Sequence, residues 1–403
     1  MTESRPYTIL DLLTDQSEST QRQLLASVEK KCNGETKSNT TVLSSALAES
    51  GPLSSYRTVV SQSVVDGIFK TKCRLDEAGT TDFLVVTTRI MKKYWEAVCF
   101  LMFSHVHNWS VLGVDVRDQS TIIVPPDLTQ VETSIKNYLM SLDGSGKVEI
   151  IRSRIIPCDM FNAGFHTRQG GISQLPPLAS MNMLHTIRKP DPLIVIAENR
   201  RRLAVAADFD LDLLNVARTE HGKKVWVMGR DPEPPLKYDG VITDVPGVVV
   251  AAPGADCCVI LLADTRTGAC GAVHAGWMGT VAMAARETLR AMVDNYGTDP
   301  RHVHAAIGPS VGGQCFDMPI SDAQVITDLD PSLTWPSERK EGWVHTNLPG
   351  ANAVILQNEG VPKENIDLTT ALCTACNKNM FFSHRRDSIP FGNQLGFISC
   401  RKR

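Results

Sequence analysis

Two apolar runs, "CCVILLAD" and "GACGAVHA", lie on either side of "TRTG" and constrain this chain more than any other stretch. Runs of that length joined by a Gly-containing loop signal predict a β-hairpin. If the loop runs from Asp264 to Thr267, Ala263 faces Gly268 and Cys257 faces His274. Their Cβ atoms then lie about 4.5–5.5 Å apart on one face. A loop one residue shorter or longer puts Cys258 opposite His274 instead. Either pairing suits two ligands of one metal ion, or a thiolate and its base. Geometry at this level leaves the choice of cysteine open.

After His274, "AGWMGT" leads into "VAMAARETLRAMVDNYG", whose apolar residues at 281, 284, 285, 288 or 289, 292 and 296 have helical spacing. Gly297 and Pro300 stop that helix. The His274 strand therefore delivers the chain to a helix N-terminus, where free N–H groups favour an anion such as phosphate. The stretch "RTEHGKKVWVMG" adds His221 between two further strand-like runs. One thiolate and two imidazoles make a three-ligand set, the arrangement of catalytic zinc with its fourth position open. A copper oxidase needs several histidine clusters besides a blue-copper set, and ten scattered histidines do not supply them.

With 403 residues, the expected organisation is two domains. The boundary is drawn at the turn "DGSGK", giving an N-terminal extension domain over 1–150, partly loop-rich, and a catalytic domain over 151–403. In the first, "CNGETKSNTTVLSSALAESGPLSS" reads as loop or disorder, "DFLVVTT" as a strand, and "RIMKKYWEAVCFLMFSH" and "LTQVETSIKNYLMSL" as helices. A formal net charge of -3 without clustered Lys and Arg excludes a nucleic-acid or membrane-surface partner. No segment approaches the roughly 20 apolar residues of a membrane span, and the amino terminus lacks a secretory pattern. The expectation is a soluble, intracellular, cytoplasmic protein. Its eleven cysteines then read as reduced thiols.

Several features are set aside. "GSGK" lacks the spacing of a phosphate-binding P-loop. The "CTAC" at Cys373 to Cys376 has the spacing of a redox or zinc pair, but the chain has no second CxxC to complete a four-thiolate site. The pairs His105/His107 and His302/His304 read as surface or core histidines.

Taken together, "TEHG", "ADCCVILLAD", "AVHAGWMGT", "AAIGPSVGGQCFDM" and "CTACNKNMFFSHRRDS" resemble the bacterial YfiH-type laccase-domain family over roughly residues 155–403. "GFHTRQGGIS" and "ENRRRL" are similar to its opening strand, loop and first helix. The resemblance implies an α/β (α+β) fold: a YfiH-like core of mixed β-sheets flanked by helices, here preceded by a smaller α/β N-terminal domain. It implies a purine nucleoside phosphorylase, converting adenosine, inosine and guanosine with inorganic phosphate to free base and ribose 1-phosphate, and a zinc-dependent adenosine deaminase. By position, the family's zinc ligands and catalytic residues match His221, Cys257 and His274, which selects Cys257 over Cys258. Arg168 and Asn182 match residues expected to bind substrate, Arg168 by bidentate contact with phosphate or ribose.

The chain departs from the family at Thr219, at Met183-Leu184 and at Gly392-Asn393. None of these is a proposed zinc ligand; they bear on the substrate pocket. Asp256 is expected to be either a proton shuttle or a structural acid, and Arg385 and Arg386 either line the site or form a solvated run. Two alternatives remain at this level. One is a Cys-His hydrolase with Cys257 as nucleophile and His274 as base. The other is a scaffolding protein whose N-terminal domain docks a metabolic partner.

Overall fold

The computed structural model describes residues 7–13, 17–32, 39–45, 53, 55–116, 127–188, 190–231 and 233–402. The chain divides into two compact units. The first comprises residues 1–143, 172–176 and 185–198, and the second residues 144–171, 177–184 and 199–403.

Short β-branched runs in the first unit pair into an all-parallel sheet. Its order is Arg57–Val60, Thr40–Ser44, Tyr7–Asp11, Asp82–Thr88, Asn108–Val114. Helices Val64–Glu77, Lys92–Met102 and Val131–Ser141 contribute to the apolar layer on one face, around Ile9, Phe83 and Val85. Helix Glu18–Cys32 covers Leu10, Val42 and Val86 on the other. A sheet covered on both faces needs apolar residues in both directions, which explains the unbroken "FLVV" of its fourth strand. The Ser/Thr-rich segment read as loop contains the strand Thr40–Ser44, because "TTVL" is β-branched and pairs on both sides. Other parts of that segment lie outside the described residues. His107 of this unit bonds Asp76 at 3.2 Å, a structural pairing.

The second unit stacks two mixed sheets. One runs Ile366–Asp367, Val303–Ile307, Cys258–Asp264, Cys270–Ala275, Gly240–Thr243, Val225–Val227. The other runs Ile150–Ile151, Phe161–His166, Gln394–Cys400, Val249–Gly254, Leu214–Val216. Phe165, Ala252, Val259, Leu261 and Ile398 fill the layer between them. Helices Ala284–Tyr296, Ile320–Leu329 and Leu348–Asn358 cover the outer face of the first sheet.

The hairpin forms, but with a different register. Cys258 faces Ala275 and Val259 faces His274, so neither cysteine lies opposite the histidine. The cause is Asp264, whose carboxylate accepts the N–H groups of Arg266 and Thr267 and the Thr267 hydroxyl. Asp264 thereby stays in the ladder, its N–H donating to Ala269, and the loop moves one residue along. The helix after His274 is also split. Trp277–Val281 forms a short first piece, Met283 adopts φ +64°, and Ala284–Tyr296 follows, ending at left-handed Gly297. The expected long helix therefore does not begin beside His274.

Candidate metal centre

His221, Cys257 and His274 converge, with their ligand atoms all within 4.8 Å of one another. Each arrives from a different local structure. His274 is buried near the end of its strand, Cys257 is half-buried just before the facing strand, and His221 is exposed on the loop before Val225–Val227. The two imidazole rings stand nearly perpendicular, centroids 4.8 Å apart.

Asp239, which sequence reasoning missed, organises this set. Its carboxylate is fully buried. Oδ1 bonds His274 Nδ1 at 2.9 Å and accepts the His221 N–H at 3.0 Å. Oδ2 accepts the N–H groups of Gly222 at 2.8 Å and Glu220 at 3.3 Å. With Nδ1 engaged by a carboxylate, Nε2 of His274 is the nitrogen free to face an electrophile. The same carboxylate holds His221 at φ +65°, a left-handed conformation costly for a residue with a Cβ. Burial opposes ionisation of Asp239, but the bonds from His274, Gly222 and Glu220 hold its carboxyl below the ordinary range. No sequence pattern marks Asp239, since "YDG" reads only as a turn before a strand.

Electrostatics separates the two adjacent cysteines. Burial opposes charge on the Cys257 thiol, yet His274 and His221 beside it bring it down to about 6. Burial likewise opposes the His274 imidazolium, yet Cys257 and Asp239 raise it to about 9. The thiol of Cys258 points into the helix-covered core, where burial pushes it up to about 12. Of these two, Cys257 is the one disposed to be a thiolate.

Gly276 is the close approach that this packing requires. A Cβ built there would lie 2.6 Å from Cys257 Sγ and 3.5 Å from His221 Cδ2. We expect Gly276→Ala to empty this centre while the fold persists, measured as the loss of about one equivalent of bound metal by elemental analysis beside an unchanged far-ultraviolet circular dichroism spectrum. Unchanged metal content would show that the methyl group is accommodated away from the thiol.

The other expected site residues have framing tasks. Arg168 donates through Nε and Nη2 to the Ala179 carbonyl and through Nη1 to that of Lys378, and it packs over Phe382. Asn182 is fully buried; its amide donates to the Leu184 carbonyl and accepts the N–H groups of Leu184 and Asn393. Their polar atoms join backbone segments. Asp256 precedes the strand at φ +96° and accepts bonds from the Thr374 and Ser383 hydroxyls and the Arg385 N–H, all at 2.6–2.7 Å. It is thus a structural acid. Arg385 pairs with Asp317, and Arg386 bonds Asp387 and the Thr374 and Phe381 carbonyls. Two clefts of roughly 530 and 270 Å³ lie around Cys400–Lys402 and include none of the three converging residues.

Residues 162–401 match the family described as multi-copper polyphenol oxidoreductase laccase. The human protein named purine nucleoside phosphorylase LACC1 is 34% identical over 365 residues, spanning 87% of this chain and 83% of its own. A protein from an unknown prokaryotic organism, named adenosine deaminase RL5, is 29% identical over 57% of this chain and 90% of its own. The crystal structure of Bacillus licheniformis YfiH superimposes with a TM-score of 0.55 at 29% identity, covering 60% of this chain and 93% of that one.

Proposed function

Since the chain belongs to the YfiH laccase-domain family, we propose that residues 151–403 form a zinc-dependent purine nucleoside phosphorylase that also deaminates adenosine. The mixed sheets flanked by helices of the second unit are similar to the YfiH fold, and a separate α/β unit precedes them. Relatives named purine nucleoside phosphorylase support an enzyme acting on nucleosides with phosphate. The observation that carries the reading is Asp239 aligning His274 and His221 around Cys257.

The donor set fits one zinc ion. A thiolate and two imidazoles are its ordinary ligands, the carboxylate behind His274 is its ordinary support, and the exposed His221 side leaves a position for substrate. A multinuclear copper centre calls for clustered histidines. The candidate groups among the described residues are this set and one of three cysteines. Bound zinc supplies Lewis-acid activation of an oxygen. The protein's own residues hold the geometry. Asp239 keeps the His274 proton on Nδ1, Gly276 leaves room for the thiolate, and the short helix Trp277–Val281 carries its exposed residues Trp277 and Met278 beside His274. We place inorganic phosphate and the purine nucleoside on that exposed side. We assign the N-terminal domain, drawn over 1–150 from the sequence, a partner-docking role and place the protein in the cytoplasm. No helix among the described residues is long and apolar enough to cross a membrane.

A second reading rests on the Cys257–His274 pair, whose side-chain atoms lie within 4.8 Å of each other, as a nucleophilic thiol and its base would. Chelation separates the two. Turnover of adenosine and inosine should vanish in metal-stripped protein and return with zinc. Full activity in metal-free protein would establish the nucleophile instead, and copper as the activating metal would establish an oxidase-type centre.

A further inference from the structure

The sequence contains no second CxxC, but the fold supplies a third thiol. Cys315, at the end of the turn Gly313–Cys315, meets Cys373 and Cys376, and the three sulfurs all lie within 4.8 Å of one another. Cys315 Sγ is 3.4 Å from Cys376 Sγ, and the Gly312 N–H donates to Cys373 Sγ at 3.3 Å. Two thiolates on one zinc ion, each about 2.3 Å from it, stand about 3.8 Å apart at the tetrahedral angle. The three cysteines need only small movements to reach that spacing.

The two loops are locked together before any ion arrives. Ser310 and Cys373 form an isolated parallel bridge. Ser310 N–H donates to the Leu372 carbonyl, and Thr374 N–H donates back to that of Ser310. The side chain and N–H of Asn377 both hold the Cys373 carbonyl. Gly312 allows the approach, since a Cβ there would lie 3.2 Å from Cys373 Cβ and 3.3 Å from its sulfur. Cys376 is exposed and the other two half-buried, so the site opens to solvent on one side.

We propose that Cys315, Cys373 and Cys376 form a second metal site, taking a thiophilic d10 cation of the zinc class with its fourth position toward solvent. Three soft donors select such a cation over magnesium or calcium. Its task is structural: it closes the "CTAC" turn, whose Thr374 hydroxyl holds Asp256 beside Cys257. The inference is independent of which reaction the first centre performs.

The test uses full-length protein, reduced, loaded with zinc and freed of excess, with bound zinc measured by elemental analysis. Wild-type protein should hold about two equivalents, Cys257→Ala about one, and Cys257→Ala/Cys376→Ser close to none. Cys376 is exposed, so its replacement spares the core. As a second readout, zinc should raise the melting temperature of Cys257→Ala and leave that of the double variant unchanged. With cobalt, Cys257→Ala should show an intense thiolate charge-transfer absorption that Cys376→Ser removes. A zinc content unaffected by Cys376→Ser in either background would overturn the proposal. So would a Cys315–Cys376 disulfide that persists in the zinc-loaded protein.

Discussion

Replacing Cys257 with alanine is expected to remove the metal of the first centre and to lower nucleoside turnover by about 100-fold or more, whereas Cys258→Ala should retain both. The two residues are neighbours in sequence and opposites in environment. Cys257 lies among His221, His274 and the bare Gly276, with its thiol drawn toward ionisation. Cys258 is fully buried beside Ile260, Val273 and Ala275. Loss of its sulfur leaves a small cavity, costing about 1–2 kcal/mol. Chemical denaturation should therefore distinguish Cys258→Ala from wild type, and metal analysis should not. The reverse pattern would mean that the core-facing thiol is the ligand.

Asp239→Asn should be nearly as damaging to the centre, although Asp239 touches no metal in this account. Both carboxylate oxygens accept, from His274 Nδ1, the His221 N–H, the Gly222 N–H and the Glu220 N–H. An amide must turn its NH₂ toward one pair of these donors, leaving buried groups unpaired at about 1–3 kcal/mol each. It also ceases to fix the imidazole proton, and the left-handed His221 loses its support. Metal affinity should fall by about 10–100-fold, measured by competition with a chelator. Restoring the rate with excess zinc would mark Asp239 as a positioning residue. Wild-type affinity in Asp239→Asn would show that the loop holds His221 without it.

Apolar patterning in the second unit made one hairpin and the helix after it legible, whereas the mixed-sheet architecture was implied by the family resemblance. The hairpin at Cys258–Asp264 and Cys270–Ala275 was visible in that way. Its register was not, since Asp264 decides the loop through bonds to Arg266 and Thr267 that no periodicity records. The strand Thr40–Ser44 was obscured by its polar neighbours, although β-branched threonines suit a paired strand. Of the metal centre, the ligand types showed in the sequence. Asp239 did not, because its importance arises from the strand Gly240–Thr243 pairing with the His274 strand. The same holds for Cys315, which reaches the "CTAC" turn only through tertiary pairing of two distant loops. Arg168 and Asn182 were singled out only through the family resemblance, and their hydrogen bonds to backbone segments are not recorded by any motif position.

Product analysis with inosine, run with zinc-loaded protein in the presence and absence of inorganic phosphate, decides between phosphorolysis and hydrolysis. Hypoxanthine and ribose 1-phosphate are expected in equal amounts when phosphate is present, and neither product in its absence or after zinc is stripped. Release of hypoxanthine with free ribose at the same rate in phosphate-free buffer would contradict phosphorolysis.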